Sequence, residues 1–146
     1  MTLAALVSML WFSGPLAWAG DDAARVVAAL SAREPTQTCR ELVASLPNPV
    51  ATLADVVETH ESPAWLPVRA ASCLATVPHA EATLRLWVAR DGWGGIADAV
   101  LAKLDELPRA TALDLAKVAL SGPNREVARA RLKASMVPEL SALARP

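Results

Sequence analysis

At 146 residues, with a net charge of −1 and 53% hydrophobic content, the chain has one domain's length and enough apolar material for a core. That charge balance excludes a dedicated nucleic-acid binder, which needs a clear basic excess to neutralise phosphates. Aromatics make up 4% and tyrosine is absent, so Ala, Val and Leu have to fill the core, which suits close helix-on-helix contact.

Met1 to Ala19 carries no charged side chain, and Leu3 to Leu16 is almost wholly apolar. Ala17-Trp18-Ala19 and then Gly20 form a small-x-small cleavage pattern, followed at once by Asp21-Asp22. Residues 1–19 therefore read as a secretory signal peptide cleaved after Ala19, with a mature domain over residues 20–146. No Lys or Arg precedes the apolar run, so an uncleaved anchor and a buried first helix are competing readings. Gly14, Pro15 and a run barely long enough to span favour cleavage. The implied address is periplasmic or secreted, with membrane attachment only if the segment is retained.

In the mature chain, Asp21 and Asp22 suit a helix N-terminus, and Val26, Val27 and Leu30 give its apolar stripe as far as Glu34-Pro35. Thr36 or Thr38 can cap a second helix bearing Leu42, Val43 and Leu46, which stops at Pro47. Asn48-Pro49 opens a third, with Leu53, Val56 and Val57 inward. Ser62-Pro63 breaks it, and a fourth begins near Leu66-Pro67. A fifth starts near His79, with Leu84, Trp87 and Val88 inward, and ends at Asp91-Gly92. A sixth runs from about Gly94 to Leu107. A seventh carries Leu113, Leu115, Val118 and Leu120, and Ser121-Gly122-Pro123-Asn124 is a dense turn signal. An eighth runs from about Arg125 to Ser135, with a short capping helix over Val137 to Leu143. No stretch sustains two-residue alternation, so the fold class is all-α.

The helices recur with a period. Leu46, Leu74, Leu104 and Leu132 close four related segments and are spaced by 28, 30 and 28 residues. A period near 30 with one helical pair per unit points to a stacked array, because no single pair can bury both its apolar faces. Trp65-Leu66-Pro67-Val68-Arg69-Ala70-Ala71-Ser72-Cys73-Leu74 and Asn124-Arg125-Glu126-Val127-Ala128-Arg129-Ala130-Arg131-Leu132 resemble the second helix of HEAT-like repeats. The first and third units depart from that pattern, with Ala97-Asp98 where Val-Arg is expected. The resemblance implies a right-handed α-solenoid of about four helical hairpins. It also implies an interaction role with another protein and no fixed ligand.

Residues with chemical potential are few. Cys39 and Cys73 are the two cysteines, and an oxidising compartment invites a disulfide. If Leu46 aligns with Leu74 in parallel stacked helices, however, the cysteines are offset by six residues, about 9 Å along the axis. A bridge needs Cα atoms within about 7 Å, so two small apolar core residues are the other reading. Glu58 and Glu61 share a helix face, but His60 points away from both, which makes a poor metal site. No catalytic residue, cofactor or metal ligand set is legible, and Gly92-Trp93-Gly94-Gly95 lacks the context of a phosphate loop.

Trp65 and Trp93 fall at turns just ahead of a second helix. They read either as packing between units or as partner anchors, since Trp is favoured at hot spots. Arg125, Arg129 and Lys133 form a basic stripe, either a solvated face or an anionic docking strip. The charge is uneven: Asp21 to Glu61 has seven acids and three bases, and the chain from Ser62 onward has eleven bases and eight acids. The expectation is an exported, non-enzymatic scaffold that binds another protein, with Trp65, Trp93, Arg125 and Arg129 at its surface. The alternative is an accessory or regulatory subunit of an envelope enzyme or sensor.

Overall fold

The computed structural model describes residues 16–146, with side chains from residue 20 onward, and among these the regular structure is entirely helical. The signal segment expected over residues 1–19 lies outside the described residues as far as residue 15. The helices are α1 (Leu16–Ser31), α2 (Cys39–Ala44), α3 (Pro49–Thr59), α4 (Trp65–Leu74), α5 (Glu81–Ala89) and α6 (Gly94–Leu101). After a 3-10 turn at Leu104–Glu106 come α7 (Arg109–Leu120), α8 (Arg125–Ala134) and α9 (Pro138–Leu143). None of the described helices is long and apolar enough to cross a membrane.

Local chemistry accounts for most boundaries. Thr38 caps α2 in a reciprocal box: its hydroxyl accepts from the Glu41 amide at 3.2 Å, and the Thr38 amide donates to Glu41 Oε2 at 2.8 Å. Pro49 and Pro138 open α3 and α9, where a missing amide hydrogen costs nothing. Asn48 does not use its side chain as a cap, so the proline alone sets that start. Between α5 and α6, Gly92 takes φ +75° and donates its amide to Asp91 Oδ1 at 2.9 Å, a turn for which a residue without Cβ is suited.

Successive helices pack in pairs, α3 on α4, α5 on α6 and α7 on α8. The pairs meet their neighbours in two rows: α4 lies on α6 and α6 on α8, while α5 lies on α7 and α7 on α9. At the head of the array α1 rests on both α3 and α4. The core runs through the rows without a break, and small residues, among them Ala70, Ala71, Ala97, Ala116 and Ala128, are wholly buried where helices approach closely. Leu46, Leu74, Leu104 and Leu132 are all buried.

Four details differ from the sequence reading. Helix α1 begins at Leu16, so Asp21 and Asp22 fall inside it, and Asp22 pairs with Arg25 at 3.1 Å. Helix α6 stops at Leu101 instead of near Leu107, and the 3-10 turn that follows carries Leu104 inward. Helix α2 is not the companion of α1; it is held to α4. The fourth concerns the cysteines. Cys39 and Cys73 form a disulfide with Cα atoms 5.2 Å apart, so the axial offset inferred from aligning Leu46 with Leu74 does not hold. Helix α2 has six residues, and its first residue meets the end of α4, so the two helices do not lie in parallel register.

Candidate interaction surface

The turns within the pairs gather along one edge of the molecule. The end of α3 and the starts of α4 and α6 bound a groove of about 230 Å³ that includes Glu58, Glu61, Val68, Trp93 and Ile96. The start of α8 joins the same edge, since a Cβ on Gly94 would lie 3.9 Å from Asn124 Oδ1. Three of the four expected surface residues, Trp65, Trp93 and Arg125, therefore sit at the starts of α4, α6 and α8 on this edge. Arg129 lies one turn further along α8.

Their surroundings differ. Trp65 is 45% exposed; its indole Nε1 donates to the Ser31 carbonyl at 3.1 Å, and the Arg69 guanidinium lies 5.8 Å from its ring. Trp93 is half-buried, with its ring 6.2 Å from that of Trp87 and the Arg90 guanidinium 4.0 Å from its centre. These contacts pack Trp93 against α5 within its own pair, whereas Trp65 leaves much of its ring in solvent. Arg125 is exposed and has no carboxylate partner among the described residues, and Arg129 meets Glu126 at 3.1 Å.

Three further residues organise this edge. Arg69 donates to the carbonyls of Leu30 at 2.9 Å, Ala32 at 2.5 Å and Arg33 at 2.9 Å, which closes the C-terminal end of α1 with a charge-assisted fork. Asn124 does the same for α5, donating through Nδ2 to the carbonyls of Val88 and Arg90, each at 2.9 Å. Glu58 accepts from Trp87 Nε1 at 2.8 Å and from Arg90 at 2.7 Å. Partial burial raises the pKa of the Glu58 carboxyl, but the hydrogen bonds from Arg90 and Trp87 and the Arg90 charge outweigh it, and the pKa falls below its ordinary value. Arg69 and Asn124 lie in the two segments with the clearest internal similarity, where their spacing was visible but not the carbonyls they reach. Glu58 offered no signal beyond the expected pairing with Glu61 on one helix face, and α3 ends at Thr59, so Glu61 lies outside the helix.

The opposite edge, where one pair leads to the next, is plainer. His79 adopts φ 65° in the turn before α5 and borders a groove of about 270 Å³. His60, back on the first edge in the turn between α3 and α4, has its Nδ1 3.0 Å from Thr59 Oγ1. Among the described residues no three His, Cys, Asp or Glu side chains are placed to hold a metal ion. Every buried side-chain polar atom there has a hydrogen-bond partner. No protein-family model, curated protein or solved structure matches the chain. Function has to be argued from the residues themselves.

Proposed function

We propose that the chain is an exported, non-enzymatic scaffold of HEAT-like helical repeats, stacked as a right-handed solenoid, which binds another protein along the edge that carries Trp65, Trp93 and Arg125. One observation carries this reading: most side-chain bonds that tie helix to helix span 29 to 39 residues, about one unit. Trp87 to Glu58 spans 29 residues, Arg109 to Glu139 spans 30, Arg90 to Glu58 spans 32, Arg131 to Asp98 spans 33 and Trp65 to the Ser31 carbonyl spans 34. These spans match the leucine period, as they would if each unit clasped the one before it. The half-open indole at Trp65 and the unpaired Arg125 supply the aromatic and arginine anchors that protein partners favour. Export is the proposal for residues 1–19, resting on the apolar run and the Ala17-Trp18-Ala19 cleavage pattern.

The test uses the whole chain in a secreting bacterium. A photo-crosslinking residue at position 65 or 125 is expected to yield a discrete protein adduct in the envelope fraction, with none from position 86, a place on α5 more exposed than Trp65. The intact mass of the recovered chain is expected to begin at Gly20. A full-length mass in the cytoplasm would remove the export reading. Equal adducts from all three positions, or none, would remove the scaffold edge.

A further inference from the structure

A second groove, of about 450 Å³, lies at the far end of the array between α7, α8 and the chain beyond α9. Leu120 and Leu143, both half-buried, form its apolar floor, and Arg129, Lys133 and Arg145 line it. We propose that this groove is a docking site for an acidic, leucine-bearing segment of a partner protein. The inference rests on the scaffold reading and names the chemistry of one partner.

The argument is electrostatic first. Four arginines elsewhere are answered across helices: Arg85 by Asp114, Arg90 by Glu58, Arg109 by Glu139 and Arg131 by Asp98. Among the described residues Lys133 and Arg145 have no carboxylate within ion-pair distance, and Arg129 has only Glu126, on the same helix and largely in solvent. The carboxylates on the neighbouring elements are taken, Glu139 by Arg109 and Glu126 by Arg129. Arg125 adds a fourth cation one turn before Arg129. From Gly92 onward the sole side-chain carboxylate without a cationic partner is Asp105, and it accepts bonds from Ser135 and the Met136 amide. The groove therefore presents three basic side chains against one anion on its rim, the terminal carboxylate of Pro146, and keeps a net positive charge.

The apolar floor then selects among anions. Two leucines set in a concave groove take aliphatic side chains from a segment whose carboxylates meet the surrounding cations, as in helix-in-groove recognition. Arginine's planar fork matches carboxylate geometry. Arg125 to Lys133 covers about 12 Å of helix, two turns of a docked helix or a short extended segment. A membrane surface fits less well. The four cations alone would suit an anionic lipid surface, but the leucines are recessed in the groove where insertion would need them to protrude.

The test measures fluorescence anisotropy with three labelled peptides that share one leucine spacing and carry glutamate, glutamine or lysine at their other positions. The glutamate peptide is expected to bind about tenfold more tightly than the glutamine peptide, and to weaken as salt rises. The double variant Lys133→Glu/Arg145→Glu, which breaks no bond in the structure, is expected to remove that preference while keeping the helical circular dichroism signal. Reversing Arg33 and Arg40, at the other end, is expected to leave it intact. Equal or better binding of the glutamine or lysine peptide, or equal weakening by the distal reversal, overturns the docking chemistry and leaves the crosslinks at positions 65 and 125 to judge the scaffold reading. So does sedimentation with phosphatidylglycerol vesicles that needs Lys133 and Arg145 when no peptide binds. Failure of every peptide together with absence of those crosslinks overturns both.

Discussion

Arg69 shows how one side chain can join two helices without any partner of opposite charge. It spends its guanidinium on three carbonyls that α1 would otherwise leave open at its end. A charged donor to a backbone acceptor is worth about 1.5–3 kcal/mol, and part of the Arg69 fork lies in solvent. Arg69→Ala is therefore expected to cost about 2–3 kcal/mol in urea unfolding, and Arg69→Lys most of that, because an ammonium cannot span the fork. A loss below about 0.5 kcal/mol would show that water replaces the clamp. Glu58 supports a pH prediction. Its pKa is lowered in the folded chain, so its stabilisation is fully present above its ordinary value of 4.5 and fades as the pH falls through the lower folded value. Glu41 moves the same way through the bonds from Thr38. Melting temperatures measured from pH 7 down to pH 3 are expected to fall, and Glu58→Gln is expected to flatten part of that fall; an unchanged slope would exclude Glu58 as a contributor. In sequence Arg69 was visible as part of a Val-Arg pattern and Glu58 as one of a carboxylate pair. The atoms they reach were not, because those lie 29 to 39 residues away.

The helices themselves were largely legible, and the misses share a cause. Proline and capping signals sit next to the boundaries they set, so the starts of α3, α4, α8 and α9 could be read closely. The end of α6 and the placing of α2 depend on contacts distant in sequence, which no local pattern records. Six residues cannot hold a helix alone, so α2 depends on its capping box and on the Cys39–Cys73 bridge. The bridge closes a separation of 34 residues, and a loop of that size gives about 3–4 kcal/mol in the chain-entropy account. The Cys39→Ala/Cys73→Ala variant is expected to lose about that much in chemical unfolding. Hydrogen exchange is expected to quicken in α2 before it does in α7 or α8. A variant as stable as the parent would mean that the bridge records proximity without contributing stability.

Across the whole molecule, side chains deep in each pair carry the burden. Leu74 and Leu132 are both wholly buried, and truncating either to alanine is expected to cost about 2–5 kcal/mol. If the units behave as a linear array, Leu132→Ala is expected to speed exchange in α8 and α9 while α3 and α4 keep most of their protection. Uniform loss along the chain would instead show a single cooperative block. The period of the leucines and the all-helical class were readable because they are properties of spacing. The two grooves were not, since each needs three elements brought together. The basic stripe was half seen: Arg125, Arg129 and Lys133 share a helix, but Arg145 joins them only through α9.

The spans of the cross-helix bonds carry a consequence for how the chain is made. Most of these bonds join residues about one unit apart, from 29 for Trp87 and Glu58 to 39 for Arg69 and the Leu30 carbonyl. A chain delivered from its N-terminus completes the partners of each unit as soon as the next thirty or so residues arrive. Loop closure over such short separations is cheap, and local topologies fold fast. Cys39 meets Cys73 before α5 has emerged, so the first lock can close while most of the array is still in transit. Assembly would then proceed vectorially, each new pair settling on a surface already in place.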